Sequence, residues 1–379
     1  MSARKSNGPG IATRVFGSQW FVSVLAVLIA FAIGAILIAL SGASVVDAYY
    51  AMFRGSIVDP NAANVVRMIK PLTDSLFYSI PLIISGLGLA LGFRAGLFNI
   101  GGKGQIIVGA LAAVWVGFAV SLPPVVHTLV ALLVAVIAGG LYGGIAGVLK
   151  AKTGANEVIV TIMLNSIATL GLGYTLTQKA WQVPGTNQPV TPKVADSAAL
   201  VRLLPAPFKL HVGFLVALVA LVAFWWLIER STLGFQIRAV GANAAAARTA
   251  GISVERITAI TMVLSGAFLG LAGANEALGT IGYVSRDVAG SIGFDAITVA
   301  LLGRNKTWGT FGAGLLFGAF KAGGYTMQAK GVPIDMILIL QSVIVLLIAA
   351  PALVRWLFRL PDVRALAANT RKGNADEHK

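Results

Sequence analysis

The chain has 379 residues, 57% hydrophobic and only 11% charged, where ordinary soluble domains run about 45–50% apolar and about 25% charged. A soluble fold cannot clothe its surface with so few polar side chains. That excludes a cytosolic enzyme, a secreted domain and a disordered chain, and leaves an all-α polytopic membrane bundle. The net charge of +15 reads first as the positive-inside bias of membrane loops rather than as a nucleic-acid footprint. There are no cysteines, so disulfides, thiolate metal sites and Cys nucleophiles are ruled out. His127, His211 and His378 lack the spacing of a metal site, and neither a metal nor a cofactor is expected.

A hydrocarbon core of about 30 Å needs about 20 apolar residues of helix. Residues 1–19 form a short tail. Trp20–Leu40 is the first span, too long an apolar run for a cleaved signal. Ser75–Phe93 is the second, entered past Asp74. The 46 residues between Lys103 and Lys150 carry no formal charge and hold two spans, split at Pro123-Pro124. Val158–Gln178, His211–Ile228 and Ile257–Gly279 follow, then a short span over Val288–Gly303, then Thr310–Gln328 and Ile334–Phe358, before a tail over 359–379. The membrane domain thus runs over 20–358 with ten spans. Ten spans permit an inverted five-plus-five repeat.

With both ends cytoplasmic, 19 of the 29 Lys and Arg fall inside, nine fall outside, and Lys321 lies within a span. That split supports both the span count and the orientation. Four-residue glycine spacings, Gly139-Gly143-Gly147, Gly140-Gly144 and Gly266-Gly270, predict close helix packing. Surfaces of this kind also suit sliding or rocking.

The chain has no GxxxxGK[ST] loop. In the nearest stretch, Gly96–Gly104, Lys103 follows the wrong glycine and precedes Gly104 where a hydroxyl is needed. ATP hydrolysis is therefore not expected on this chain. The cytoplasmic segment 229–256 is the most informative loop. Asn243 is a good N-cap, four alanines follow, and Gly251 suits a C′ stop. A short helix over 243–251 has too few bulky apolar residues to anchor in lipid and suits docking into a partner's groove.

This loop, with Arg238-Ala239-Val240-Gly241-Ala242-Asn243, its alanines and Gly251-Ile252, resembles the coupling loop of ABC-importer permeases. Three further stretches resemble the nucleoside and simple-sugar branch of the branched-chain amino acid/ribose-type permease family: 96–105, 155–165 and 293–305. Together they cover about Pro71 to Pro351. Ala244, where the branch usually has Pro, and Ser166, where an aromatic is common, depart from it. The resemblance implies coupling to an ATP-binding-cassette ATPase through Arg238, Asn243, Arg248 and Gly251. It also implies a second, different permease chain and an extracytoplasmic substrate-binding lipoprotein. The location implied is the bacterial plasma membrane, with membrane lipid as surroundings and no nucleic-acid partner.

Ionisable groups within spans are costly and face a cavity or a partner. Glu276, Asp295 and Lys321, with the amides of Asn99, Gln105, Asn165 and Asn275, are the candidates for the translocation path. This inventory suits a neutral, hydroxyl-rich solute such as a nucleoside or sugar. Some have plainer readings. Glu157 could cap its helix, Asp295 and Lys321 could form a structural ion pair, and Asp74 could be interfacial. Asn99-Ile100-Gly101-Gly102 could break a helix at the entrance to a cavity. The Pro-rich external segment 179–210, with Trp181, is read as a cap over the outer mouth. The rival function is an ion-coupled carrier or channel in which Glu276 or Asp295 titrates.

Overall fold

A computed structural model describes residues 19–333 and, beyond them, Met336, Leu338, Ile339, Ser342, Val343, Leu346, Leu347 and Phe358. Residues 1–18, most of the expected last span and the C-terminal tail lie outside the described residues. In chain order the helices are α1 (Gln19–Leu40), α2 (Val45–Ser56), α3 (Val65–Arg94), α4 (Gly102–Ala119), α5 (Val126–Thr153), α6 (Glu157–Thr175), α7 (Gly213–Arg230), α8 (Thr232–Ala242), α9 (Ala244–Thr249), α10 (Val254–Asn275), α11 (Ile292–Leu302) and α12 (Thr307–Gln328). A 3-10 turn covers Lys179–Trp181, and a π-helical turn over Glu276–Ile281 continues α10.

Among the described residues, six helices are long and apolar enough to cross a membrane: α3, α4, α5, α6, α7 and α10 with its π turn. They coincide with six of the expected spans. α3 starts ten residues earlier than Ser75, because Asn64 caps it by accepting a hydrogen bond from Arg67 N at 2.9 Å. Lys70 and Asp74 pair across its early turns, and Pro71 lies inside the helix without ending it. α11, within the expected short span 288–303, has 11 residues. It rises about 16 Å, about half of the hydrocarbon core.

The chain falls into two compact units, residues 1–49 with 327–379 and residues 50–326. In the first, Tyr49 donates to the Phe31 carbonyl at 2.5 Å, with the two rings edge to face. In the second, α10 is central. It packs most extensively on α5, then on α4 and α3, and α11 lies on α3. The α5–α10 seam is glycine against glycine. A Cβ on Gly143 would lie 2.6 Å from the Met262 carbonyl oxygen, and one on Gly270 would lie 2.3 Å from that of Ala135. The predicted close approach through four-residue glycine spacing is realised here, and it brings whole backbones into van der Waals contact.

Between α3 and α4 the chain leaves helical geometry over Ala95–Gly101. Gly96 at φ +74° is the left-handed residue that ends α3. Leu97 N bonds the Gly92 carbonyl at 2.9 Å and Gly96 N that of Phe93 at 3.1 Å, a Schellman closure. Backbone groups freed in this largely buried stretch must find partners within the protein, and side chains supply them. Thr161 Oγ1 accepts from Ile100 N, Asn99 Oδ1 from Gly101 N, and Asn165 Oδ1 from Gly104 N. Asn165 Nδ2 donates to the Ile100 carbonyl.

Candidate functional site

A cavity of about 430 Å³ opens among α3, the π turn, α12 and the 202–209 segment. Phe77, Tyr78 and Pro81 of α3 supply one wall, Glu276, Gly279 and Thr280 a second, and Lys321 and Tyr325 of α12 a third. Arg202 and Lys209 close it from the segment expected as a cap. That segment is laced onto the turn after α10. Leu200 N bonds Leu278 O at 3.1 Å, Val194 N bonds Gly282 O at 3.0 Å, and Thr191 and Val284 bond each other. Trp181 lies against Trp115 with ring centroids 4.8 Å apart, which fixes the start of the same segment beside α4.

The chemistry of the cavity is mixed. Tyr78 and Tyr325 lie 5.5 Å apart between ring centroids, and the Lys321 ammonium sits 6.0 Å from the Tyr78 centroid, within cation–π range. Lys321 is in electrostatic reach of both Glu276 and Asp295. Among the described residues no ion pair joins Lys321 to Asp295. Asp295 accepts from Ser291 Oγ at 2.6 Å instead, and Glu276 is hydrogen-bonded to Thr280. The cavity therefore presents aromatic faces, hydroxyls, a carboxylate and an ammonium, which is the equipment to hold a polar ring compound.

Behind the π turn lies a buried polar layer. Asn275 Nδ2 donates to the Gly213 carbonyl at 3.2 Å, and His211 Nδ1 accepts from Gly213 N at 3.1 Å. Asn275 Oδ1 and His211 Nε2 are buried without hydrogen-bond partners. Gly279 is needed here: a Cβ would lie 2.4 Å from His211 Cε1.

The predicted path residues thus separate into two groups. Glu276 and Lys321 line the cavity, and Asp295 lies within electrostatic reach of Lys321. Asn275 sits one layer back. Asn99, Gln105 and Asn165 form a different cluster, at the α3–α4 break. Asn99 Nδ2 donates to Gln105 Oε1 at 3.0 Å and to Ser265 Oγ at 2.9 Å, and Gln105 Nε2 donates to Asn99 Oδ1 at 3.2 Å. These buried amides satisfy one another and the backbone. Glu157 is not the cap of α6. Asn156 is, accepting from Val158 N at 2.9 Å, while Glu157 pairs with Lys150 at 2.6 Å. Phe77, Tyr78, Thr280, Tyr325, Arg202 and Lys209 were not anticipated. The four-residue step from Lys321 to Tyr325 places both on one face of α12, a signal present in the sequence. Only the folded 179–210 segment brings Arg202 and Lys209 to the same place.

The short helix predicted over 243–251 forms, as α9 over Ala244–Thr249. Asn243 caps α9, its Oδ1 accepting from Ala246 N at 3.0 Å. Gly251, at φ +82°, ends it with a Schellman pair: Ile252 N to Ala247 O and Gly251 N to Arg248 O, both at 3.0 Å. α8 and α9 border an open groove of about 560 Å³, with Phe235, Gln236, Ala239, Ala246 and Ile252 along it. Arg248 pairs with Glu255 at 2.6 Å and is mostly exposed. Arg238 is not on the groove, and its Nη1 is buried without a hydrogen-bond partner. α8 is held against the end of α3 at Gly241, where a Cβ would lie 2.1 Å from the Arg94 carbonyl oxygen.

Apolar helices long enough to span a bilayer, a broken helix braced by buried amides, a mixed polar cavity and membership of the family matched below go with a multi-pass membrane transport subunit. Residues 72–349 match the family model described as branched-chain amino acid transport system / permease component, and the chain belongs to that family. It is similar to the guanosine ABC transporter permease protein NupP of Bacillus subtilis, at 40% identity over 89% of this chain and 95% of that protein. It is also similar to the glucose ABC transporter permease protein TsgB13 of Haloferax volcanii, 36% identical over 85% of each. A third relative, the nucleoside ABC transporter permease protein NupB of Lactococcus lactis, is 31% identical over 92% of this chain and 95% of its own length. No solved structure matches the chain. Membership favours an ATP-driven importer over the ion-coupled carrier.

Proposed function

We propose that this permease carries a nucleoside or simple sugar, and that the solute passes the cavity bounded by Tyr78, Glu276, Lys321 and Tyr325. The observation that carries this reading is the pairing of aromatic faces with hydrogen-bonding and charged groups in one cavity. Relatives named for guanosine, glucose and nucleosides support the solute class. An aromatic face takes the ring of a base or sugar, while Glu276 and Thr280 accept from or donate to its hydroxyls and amides. The amides of Asn99, Gln105 and Asn165 act in the same path as the brace that keeps the α3–α4 break in place, with Asn275 and Asp295 supporting the cavity wall.

The same reading assigns α9 to an ATP-binding-cassette ATPase on a partner chain. Asn243 and Gly251 fix the two ends of this helix, Arg248 presents a charge on it, and Arg238 lies on the helix before it. Ten spans in a five-plus-five inverted arrangement, both termini in the cytoplasm, and a bacterial plasma membrane complete the proposal. A second permease chain of different sequence would form the other half, and a lipoprotein would deliver solute at the 179–210 segment.

Two measurements test this. In the first, the tagged complex is purified in mild detergent, wild type beside an Arg248→Ala, Gly251→Val variant. Wild type should retain an ATPase subunit that the variant loses. In the second, ATP-dependent uptake of radiolabelled guanosine and glucose is measured in proteoliposomes of the complex. Uptake of either that persists without ATP and stops when the proton gradient is collapsed overturns the importer reading.

A further inference from the structure

A second cavity, of about 690 Å³, lies at the end of the bundle where α3 and α7 finish and α12 begins. It is lined by Arg94, Arg230 and Lys306, by the single carboxylate Glu229 among its described residues, and by Trp225 and Trp308. Arg94 is engaged: Nη2 is 3.3 Å from Glu229 Oε1, and Nε donates to the Asn305 carbonyl at 2.8 Å. That pair neutralises Glu229 and leaves the charge of Arg230 and Lys306 uncompensated within the cavity. The Arg230 guanidinium rests over the Trp225 ring at 5.3 Å, which holds a weakly hydrated cation in place. Lys306 follows Arg304 and Asn305, both at positive φ (53° and 54°). Two successive non-glycine residues in that region are strained, and the loop adopts this shape directly beneath the first turn of α12.

The cavity does not stand alone. On α7, Leu215, Val219, Val222 and Trp226 are 47%, 68%, 59% and 58% exposed. Their spacing of four, three and four puts them on one face, an apolar stripe about 16 Å long. The stripe runs toward the Trp225–Arg230 end of the helix. At the cavity rim Trp308 is 68% exposed. An apolar track that leads to two unneutralised cations framed by tryptophans has the order of parts of a phospholipid: acyl chain, interfacial layer, phosphate.

We propose that Arg230 and Lys306, framed by Trp225 and Trp308, bind the phosphate of an anionic phospholipid whose acyl chain lies along the Leu215–Trp226 face of α7. A soluble phosphate would have no use for the stripe. A zwitterionic lipid would bring its own cation to a cavity that already holds two uncompensated ones. The inference rests on the membrane-spanning class alone and stands whichever solute is carried.

The test uses the assembled transporter, ATPase included, in phosphatidylcholine nanodiscs doped with lipid brominated on its acyl chains. Brominated phosphatidylglycerol should quench tryptophan fluorescence more than brominated phosphatidylcholine at equal mole fraction, with a preference of about fivefold per cation. The Trp225→Phe, Trp226→Phe, Trp308→Phe variant should lose most of the selective quenching. Arg230→Gln with Lys306→Gln should bring the two lipids level while leaving quenching by brominated phosphatidylcholine unchanged, which shows that the fold is intact. Equal quenching by both lipids in wild type overturns the proposal, as does a preference that survives the double charge variant. Competition by inorganic phosphate would assign the cavity to a small soluble anion. A preference that appears only once the ATPase is stripped would assign the surface to the protein partner. Either result overturns the lipid reading.

Discussion

Gly139 and Gly266 meet across the α5–α10 seam so closely that a Cβ on Gly139 would lie 2.5 Å from the Gly266 carbonyl oxygen, and one on Gly266 would lie 2.3 Å from that of Gly139. Neither contact can be relieved by a side-chain rotation, because backbone is the obstacle on both sides. Gly266→Ala should therefore force the helices apart, at a cost of about 1–3 kcal/mol. A lower thermal unfolding midpoint of the complex in detergent checks this. Gly312→Ala, at a helical position with open space around it, is the control and should leave the midpoint unchanged or slightly raised, since alanine favours helix.

The amide cluster at the α3–α4 break predicts a different defect. Asn99→Ala leaves Gly101 N without its acceptor and removes the partners of Gln105 and Ser265. Each unsatisfied buried group costs about 1–3 kcal/mol. Asn165→Ala does the same to Gly104 N and the Ile100 carbonyl. Both should lower stability, and hydrogen exchange should rise first at residues 99–105. Unchanged exchange there would count against a bracing role.

At the cavity, Lys321→Met removes the cation shared by Glu276 and Asp295. Solute uptake should fall while assembly with the ATPase is retained. Adding Glu276→Gln should recover part of the loss, because the neutral amide no longer needs the cation. A double-mutant cycle on uptake should give a coupling of about 0.5–3 kcal/mol between the two positions. Strict additivity would show that they do not act together.

Tyr325→Leu keeps an apolar side chain on the cavity wall but removes one aromatic face. The Michaelis constant for uptake should rise with a small change in maximal rate, since ring stacking contributes to binding in general. Tyr325→Phe should behave as wild type if the face, and not the hydroxyl, is what matters.

On α9, Asn243→Ala removes the cap at about 1 kcal/mol, and Gly251→Ala places a Cβ on a left-handed residue at about 1–2 kcal/mol. Both act on a helix of six residues with little else to hold it. ATP hydrolysis by the complex should persist while solute-stimulated hydrolysis falls. Arg248→Gln alters an exposed pair and should cost less than either.

Hydropathy by itself determined most of the helices, because the bilayer permits few alternatives to helix at membrane depth. The spans expected around α3 to α7 and α10 are of this kind. Local chemistry determined α9 as well: Asn243, the alanines and Gly251 are all the information its two ends need. Four-residue glycine spacing in α5 and α10 likewise announced a close seam. The sequence could not say which helices share that seam, since small residues mark a surface but not its partner. α3 began earlier than its apolar run suggested, because a cap at Asn64 and the Lys70–Asp74 pair carry the helix past polar residues.

What only the tertiary structure decided is which polar groups share a site. Asn99, Gln105, Asn165, Asn275, Glu276, Asp295 and Lys321 look alike on a hydropathy plot, each a costly group in an apolar segment. Three of them close on each other and on freed backbone at the α3–α4 break. Glu276 and Lys321 instead meet Tyr78 and Tyr325 in an open cavity. Arg202 and Lys209 join them only because hydrogen bonds lace residues 191–200 to the turn after α10. Those contacts join residues far apart in the chain, and no local pattern encodes them. The cost of a buried polar group announces that it must have a partner, and the packing of the helices chooses which.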